Sequence, residues 1–515
     1  MARSASSRSF RCVLCAAALG TLAAVAHSQS PRLAARGASL PGTLELVMDE
    51  GPVGLTGVLF LSGNAGPTPL FPVDPRDPRS LDIGSEALGI SFSGIFVPGG
   101  AWSIRPSLPL PNDPGLIGAP LFFQAVTFPG TQYLLGPLSN PSVIRFAPAN
   151  AFRTRNTQFV TPRAFFPVIP RADRFRWMIV GGGIGGLLAQ VAQKTTEIYD
   201  PLTDGFLAGP TMTTERSLHT VTQLGNGRWL LVGGVDRLND PQTACEVFDP
   251  GADAFTAVAP MNDPRTGHTA TLLPNGKVLV TGGLSDLNPT PNPILSTLKS
   301  TEIYDPATNQ WTRGPDMRVP RAAHAAIPLA NGKVVLVGGV GWIQILIKIP
   351  SLFREIDVYD PATNTIAPGP LMAQARAAFP VAELGGGRYL FAGGLGSLLA
   401  ADQTTAQAEV YDASTNACTP AGNMARARGL HAALPLANRR WLLLGGAYGT
   451  IDAPTALNTT EVYDAATNSW SAGPAMTSSR AGFGLFATPN GNFHLMGGGN
   501  GPSSTVVNTT EWFYP

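Results

Sequence analysis

The chain has 515 residues and a formal net charge of +1, with 44% hydrophobic and 13% charged residues. So much apolar content at so little charge excludes a mainly disordered chain, and a charge near zero gives nucleic-acid binding no electrostatic support. Gly 58 and Pro 47 exclude long helices and favour many short strands joined by turns.

In chain order, Arg3, Arg8 and Arg11 precede the apolar run Cys12–Ala26, which is too short for a stable bilayer span. With the small residues of Ala26-His27-Ser28, this predicts a signal peptide over residues 1–28, cut near Ser28–Gln29; a retained anchor is the alternative. Cleavage would remove three Arg and no acid, taking the net charge from +1 to −2. No later stretch is apolar and long enough to span a membrane as a helix, so the expected product lies outside the cytoplasm: secreted, periplasmic or at the cell surface. Cys12 and Cys15 would leave with the signal. Cys245 and Cys418 fall in non-adjacent repeats and read as small apolar residues, neither a bridge nor a metal site.

Residues 29–41 read as a flexible leader. Residues 42–149 carry short apolar runs (Gly57–Leu61, Ile90–Val97, Leu121–Phe128) punctuated by Gly and Pro, which predicts a small β-sandwich. The stretch Leu116–Ala125, followed by Leu138-Ser139-Asn140, resembles a module of secreted bacterial multidomain proteins, a resemblance that implies no activity.

Beyond residue 150 the chain repeats. A Gly-Gly pair recurs at Gly181, Gly233, Gly282, Gly338, Gly393, Gly445 and Gly497, at steps of 52, 49, 56, 55, 52 and 52. Upstream of each pair lies an Arg: Arg163, Arg216, Arg265, Arg321, Arg376, Arg428 and Arg480. Downstream lies an acid, then an aromatic residue two positions on, as in Glu302 and Tyr304. A period near 50 marks one supersecondary unit per copy. In the third copy Thr266–Leu273, Lys277–Thr281, Ser300–Tyr304 and Gln310–Arg313 read as four strands. Asn275-Gly276 forms the first hairpin and Asp305–Asn309 a Pro-containing turn.

Arg-x-x-His, Gly-Lys-Val-Leu-Val-x-Gly-Gly and Glu-Ile-Tyr-Asp-Pro-x-Thr-Asn-x-Trp together resemble the Kelch repeat over residues 155–515. The resemblance implies an all-β fold, a seven-bladed Kelch β-propeller of four-stranded blades. Ile366 and Cys418 replace the outer Trp, and Phe379 and Phe483 replace the His. The last copy stops after its third strand. Phe159 stands four residues before Arg163, as Met317 stands before Arg321, so residues near 150–158 are expected to supply the seventh blade's outer strand.

His219, His268, His324 and His431 share one repeat slot, and residues spread around a ring do not converge on an ion unless they face a narrow axis; a structural role is expected. An Arg and an acid in every copy argue for structural pairing over acid–base catalysis, which needs one pair. Gly181–Gly186 obeys the repeat rule and needs no helix start, so it is not read as a phosphate loop. A secreted Kelch propeller is also similar in fold to copper radical oxidases of the galactose oxidase group, whose site uses two Tyr, two His and a Cys cross-linked to one Tyr. Cys245, Cys418 and His494 form no such set on sequence grounds.

The expectation is therefore a non-catalytic binding or scaffolding protein without cofactor or metal, binding a protein or glycan through propeller-face loops. An extracytoplasmic enzyme on carbohydrates or alcohols is the alternative. The loop between second and third strands of the fourth copy, Gly341–Phe353, is the most apolar, and Trp342, Ile343, Ile345, Leu346 and Phe353 are its candidate contacts.

Overall fold

The computed structural model describes residues 150–515 except 172–175, 187–188, 202, 289–291, 452, 489–491 and 501–505; ahead of these it describes only strand backbones between Arg32 and Pro148. Ser142–Arg145, Pro120–Phe128, Thr56–Ser62 and Ser91–Ile95 form one antiparallel sheet in that order, taking in the runs Gly57–Leu61 and Leu121–Phe128 and residues 91–95 of Ile90–Val97. Arg32–Arg36, within the stretch read as a leader, pairs with Gly42–Asp49. A five-residue strand is too short to declare itself without its partner. The signal peptide and the packing expected of a sandwich lie outside the described residues.

From Ala151 onward the chain forms seven four-stranded antiparallel sheets, the blades of a propeller. Blade 3 is Thr269–Leu272, Val278–Thr281, Thr301–Asp305 and Gln310–Arg313, close to the strands read from sequence. In blade 7, Ala151–Gln158 pairs antiparallel with the C-terminal strand Thr509–Tyr514, so the two ends of the propeller share one sheet. Phe159, buried, donates its N–H to the Asn508 carbonyl.

The second strands are buried, along their whole length in Val278–Thr281 and behind a first Arg in Arg388–Ala392 and Arg440–Leu444, which is why they read as apolar runs. The fourth strands are mostly exposed or half-buried. Blade joins blade through the Gly-Gly pairs. Gly283 donates its N–H to the Arg321 carbonyl of the next blade, and Gly282 has φ +61 and would place a Cβ 2.1 Å from that oxygen. Only glycine fits there.

The repeat Arg and acid form the frame of each blade. All seven Arg are fully buried and each meets its own blade's acid at 2.6–3.1 Å, from Arg163–Glu197 through Arg321–Asp357 to Arg480–Glu511. The Arg also donates to two carbonyls: Arg265 Nη1 reaches Gly282 O at 2.8 Å and Ser300 O at 2.9 Å. The acid accepts from the segment entering the blade, as Glu302 does from the N–H groups of Asn262 and Asp263. One ion pair therefore fixes the third strand, the Gly-Gly turn and the blade-to-blade link together.

The Asp-x-x-Thr-Asn turns carry a second local device. Asn309, at φ +54, accepts from Tyr304 Oη at 3.0 Å, and Asp305 accepts from the Ala307 N–H. Trp311 Nε1 and Trp470 Nε1 donate to the preceding blade's carbonyls at Ala259 and Ala421. Ile366 and Cys418, in the same slot, have no such N–H to give.

Candidate functional site

Strands alternate in direction, so the 2–3 loops and the blade-to-blade links share one face, and the 1–2 and 3–4 turns share the other. The two faces differ chemically. On the turn face, ion pairs tie the start of the second strand to the end of the third: Lys277–Asp305 at 3.0 Å, Lys333–Asp360 at 3.0 Å and Arg228–Asp249 at 2.8 Å. On the loop face stand the exposed aliphatic side chains. Val160, Ile184, Val191, Leu238, Leu399 and five residues of the blade-4 loop all lie there; among the described residues only Leu207 and Leu371, on outer strands, lie outside these loops and links.

At the axis this face is closed by backbone. The residue two positions after each repeat Arg has positive φ: Phe165, Leu218, Gly267, Ala323, Ala378, Leu430 and Gly482. Each is half-buried. Six hydrogen bonds run around them, such as Ala378 N–H to Ala323 O and Phe165 N–H to Gly482 O. Between Leu218 and Gly267 the Thr266 hydroxyl reaches the Leu218 carbonyl instead. The mouth of the axis is thus lined with small and aliphatic residues and one Phe, none of which offers a metal ligand.

The blade-4 segment expected as a loop is a hairpin, Val340–Gln344 paired with Lys348–Leu352. Ile343 pairs with Ile349 on one side of the ladder, and Trp342 with Pro350 on the other. The tip is strongly exposed: Ile345 68%, Leu346 92% and Ile347 70%. Trp342 turns toward blade 3, donating Nε1 to Thr297 O at 3.1 Å, with Lys348 Nζ 4.1 Å from its ring centroid. Together with Leu295, Lys299 and Asp316 they line a shallow cleft of about 320 Å³. Phe353 is a correction: it is buried (3% exposed), and its N–H bonds the Gly339 carbonyl. It belongs to the blade frame, in the position Leu298 and Leu457 hold in their blades.

The slot histidines are buried between blades. His268 Nε2 meets Thr220 Oγ1 of the preceding blade at 3.0 Å, and His324 Nε2 meets Thr281 Oγ1 at 2.7 Å. Where the preceding blade offers Ala325 or Gly484 in place of Thr220 and Thr269, the slot holds Phe379 or Phe166. Burial holds His219, His324 and His431 well below the usual imidazole range and His268 at about 3. We predict that Thr220→Val, which keeps the shape but strands His268 Nε2, costs about 1–3 kcal/mol in denaturant unfolding. A neutral buried imidazole binds its proton more weakly when folded than when unfolded, so its contribution is full above about pH 6.5 and shrinks below it. The melting temperature should accordingly fall between pH 7 and pH 5, and a flat profile would contradict neutral buried histidines.

Cys245 and Tyr304 share one cluster, and Cys418 lies opposite Tyr411, but both Tyr hydroxyls are bound to Asn309 and Asn416. Burial pushes both thiols up to about 12. His494 is stacked on Trp512 at 4.5 Å in a different blade. Among the described residues no three His, Cys, Asp or Glu come together as a metal site, so the residues do not fit the copper centre of the radical oxidases. Gly183–Gly186 pairs as a strand with Ala189–Ala192 and begins no helix.

The matched motif and the AA5 likeness agree with this architecture. The Kelch motif matches residues 264–318. A fungal alcohol oxidase of the AA5 family, solved with copper, is similar at 16% identity and TM-score 0.55, over 71% of this chain and 77% of that one. The structure of YjhT is similar at 16% identity and TM-score 0.43, over 58% of this chain and 96% of that one. No curated protein matches the sequence. With one matched Kelch motif, at residues 264–318, and seven four-stranded blades, the chain is a seven-bladed β-propeller that carries a Kelch motif.

Proposed function

We propose that this propeller is an exported binding or scaffolding protein, without catalysis of its own, that docks its partner on the loop face. The observation that carries this is the segregation of exposed aliphatic residues onto that face; surface ion pairs occur on both faces, Lys277–Asp305 on the turn face and Lys299–Asp316 on the loop face. Exposed apolar patches on a rigid scaffold mark interaction surfaces. The hairpin residues Trp342, Ile343, Ile345 and Leu346 belong to this surface; Phe353 supports it from beneath. An apolar partner fits better than a glycan, because the Trp342 ring that could stack on a sugar is covered by Lys348.

The test compares faces. A partner held by the wild type should be lost on Leu238→Ser with Leu399→Ser and retained on Lys277→Ala with Lys333→Ala. The reverse pattern would overturn the assignment. The likeness to an AA5 oxidase is one of fold, and the enzyme alternative is tested directly: loading with copper and assaying peroxide from alcohols and sugars should give none, and turnover would refute the non-catalytic reading.

A further inference from the structure

The blade-4 hairpin has properties that a protein-contact loop does not require. Its outward side carries Ile343, Ile345, Ile347 and Ile349, with Leu346 at the turn, all exposed or half-exposed. At the tip Ile345 N–H donates to Ile347 O at 3.2 Å and Gln344 Nε2 donates to Leu346 O at 3.3 Å, which occupies two of its carbonyls without water. Below the tip sit Trp342 and Lys348, an amphipathic ring and a cation, the residue types that settle at the boundary between acyl chains and headgroups. Lys348 lies over the Trp342 ring and reaches Leu295 O at 3.4 Å, and among the described residues it has no carboxylate partner, which leaves its charge for an anionic headgroup.

We infer that this hairpin is a lipid-docking element, its tip Ile345-Leu346-Ile347 entering the surface of a bilayer while Trp342 and Lys348 stay at the interface. The inference rests on the reading of the loop face as a docking surface and names the partner at the hairpin. Five aliphatic side chains present on the order of 500 Å² of apolar surface at the end of a two-stranded projection. Shallow insertion needs no complementary surface.

The experiment is flotation of the full chain with phosphatidylcholine vesicles, with and without phosphatidylglycerol. The wild type should float with both, more strongly with the anionic lipid. Ile345→Ser, Leu346→Ser and Ile347→Ser combined should weaken partitioning by about tenfold or more, with an unchanged circular dichroism spectrum. Lys348→Gln should remove only the gain from phosphatidylglycerol. As an independent readout, a polarity-sensitive dye on L346C, in a Cys418→Ser background, should shift to the blue on vesicles. A wild type that floats with neither vesicle, or a triple variant that floats as well as the wild type, overturns the inference. If vesicles fail but a protein partner is lost in the triple variant, the lipid inference falls and the docking face stands.

Discussion

Replacing Arg321 with Met will lower the stability of the propeller by about 3–5 kcal/mol. The guanidinium is fully buried, 2.9 Å from Asp357 Oδ2, and donates to the carbonyls of Gly338 at 2.7 Å and Glu355 at 3.0 Å. Burial pushes its pKa down and Asp357 opposes that shift, so the guanidinium is tolerable in the interior because of its acid. Met fills the volume but leaves the buried Asp357 carboxylate with only Arg318, its N–H at 3.3 Å and its guanidinium at 3.6 Å, and takes one donor from each of two carbonyls. Removing both charges, as Arg321→Met with Asp357→Leu, should cost less than the single change, since the stranded charge is then gone. Equilibrium denaturation of the four proteins in the cycle checks this. An unaltered midpoint for the single variant would show that the pair does not hold the blade.

The second large effect concerns ring closure. A chain beginning at Asn150 should keep a folded propeller, whereas a chain beginning at Arg163 should melt far lower. The longer form keeps Ala151–Gln158 against Thr509–Tyr514. The shorter form leaves that C-terminal strand as an open edge and strips Phe152 and Phe159 from the core. It also loosens the join between blades 7 and 1, where Trp177 stacks on Phe486 at 4.3 Å and Tyr199 lies 4.4 Å from His494. Thermal melts followed by circular dichroism compare the two. Equal melting temperatures would refute the shared blade.

The frame of the fold was legible because it repeats. An Arg, an acid and a Gly-Gly pair at constant spacing announce a contact made seven times, and the Arg–acid pairs follow from that count. Phe159 was legible for the same reason: it lies 3.0 Å from a Cβ built on Gly497, as Met317 lies from one built on Gly282. Phe353 was misplaced because it adjoins an apolar loop. Counting four residues back from the acids of the third, fourth and sixth copies gives Leu298, Phe353 and Leu457, which places Phe353 in the frame. The axial ring was not legible, because positive φ at Leu218, Ala323 or Leu430 is imposed by the circular hydrogen bonding, not by the residues themselves. Nor was the hairpin, since its turn Ile345-Leu346-Ile347 has none of the Gly or Asn that usually marks one.

The central claim is that one face of this propeller does the binding. Its most direct test is a photo-crosslinking residue placed singly at Leu399 and Leu238 on the loop face and at Gly276 and Gly332 on the turn face, irradiated in the native extract. The account predicts partner adducts from Leu399 and Leu238 and none from the two turn positions. Adducts from Gly276 or Gly332, with none from the loop positions, would contradict it.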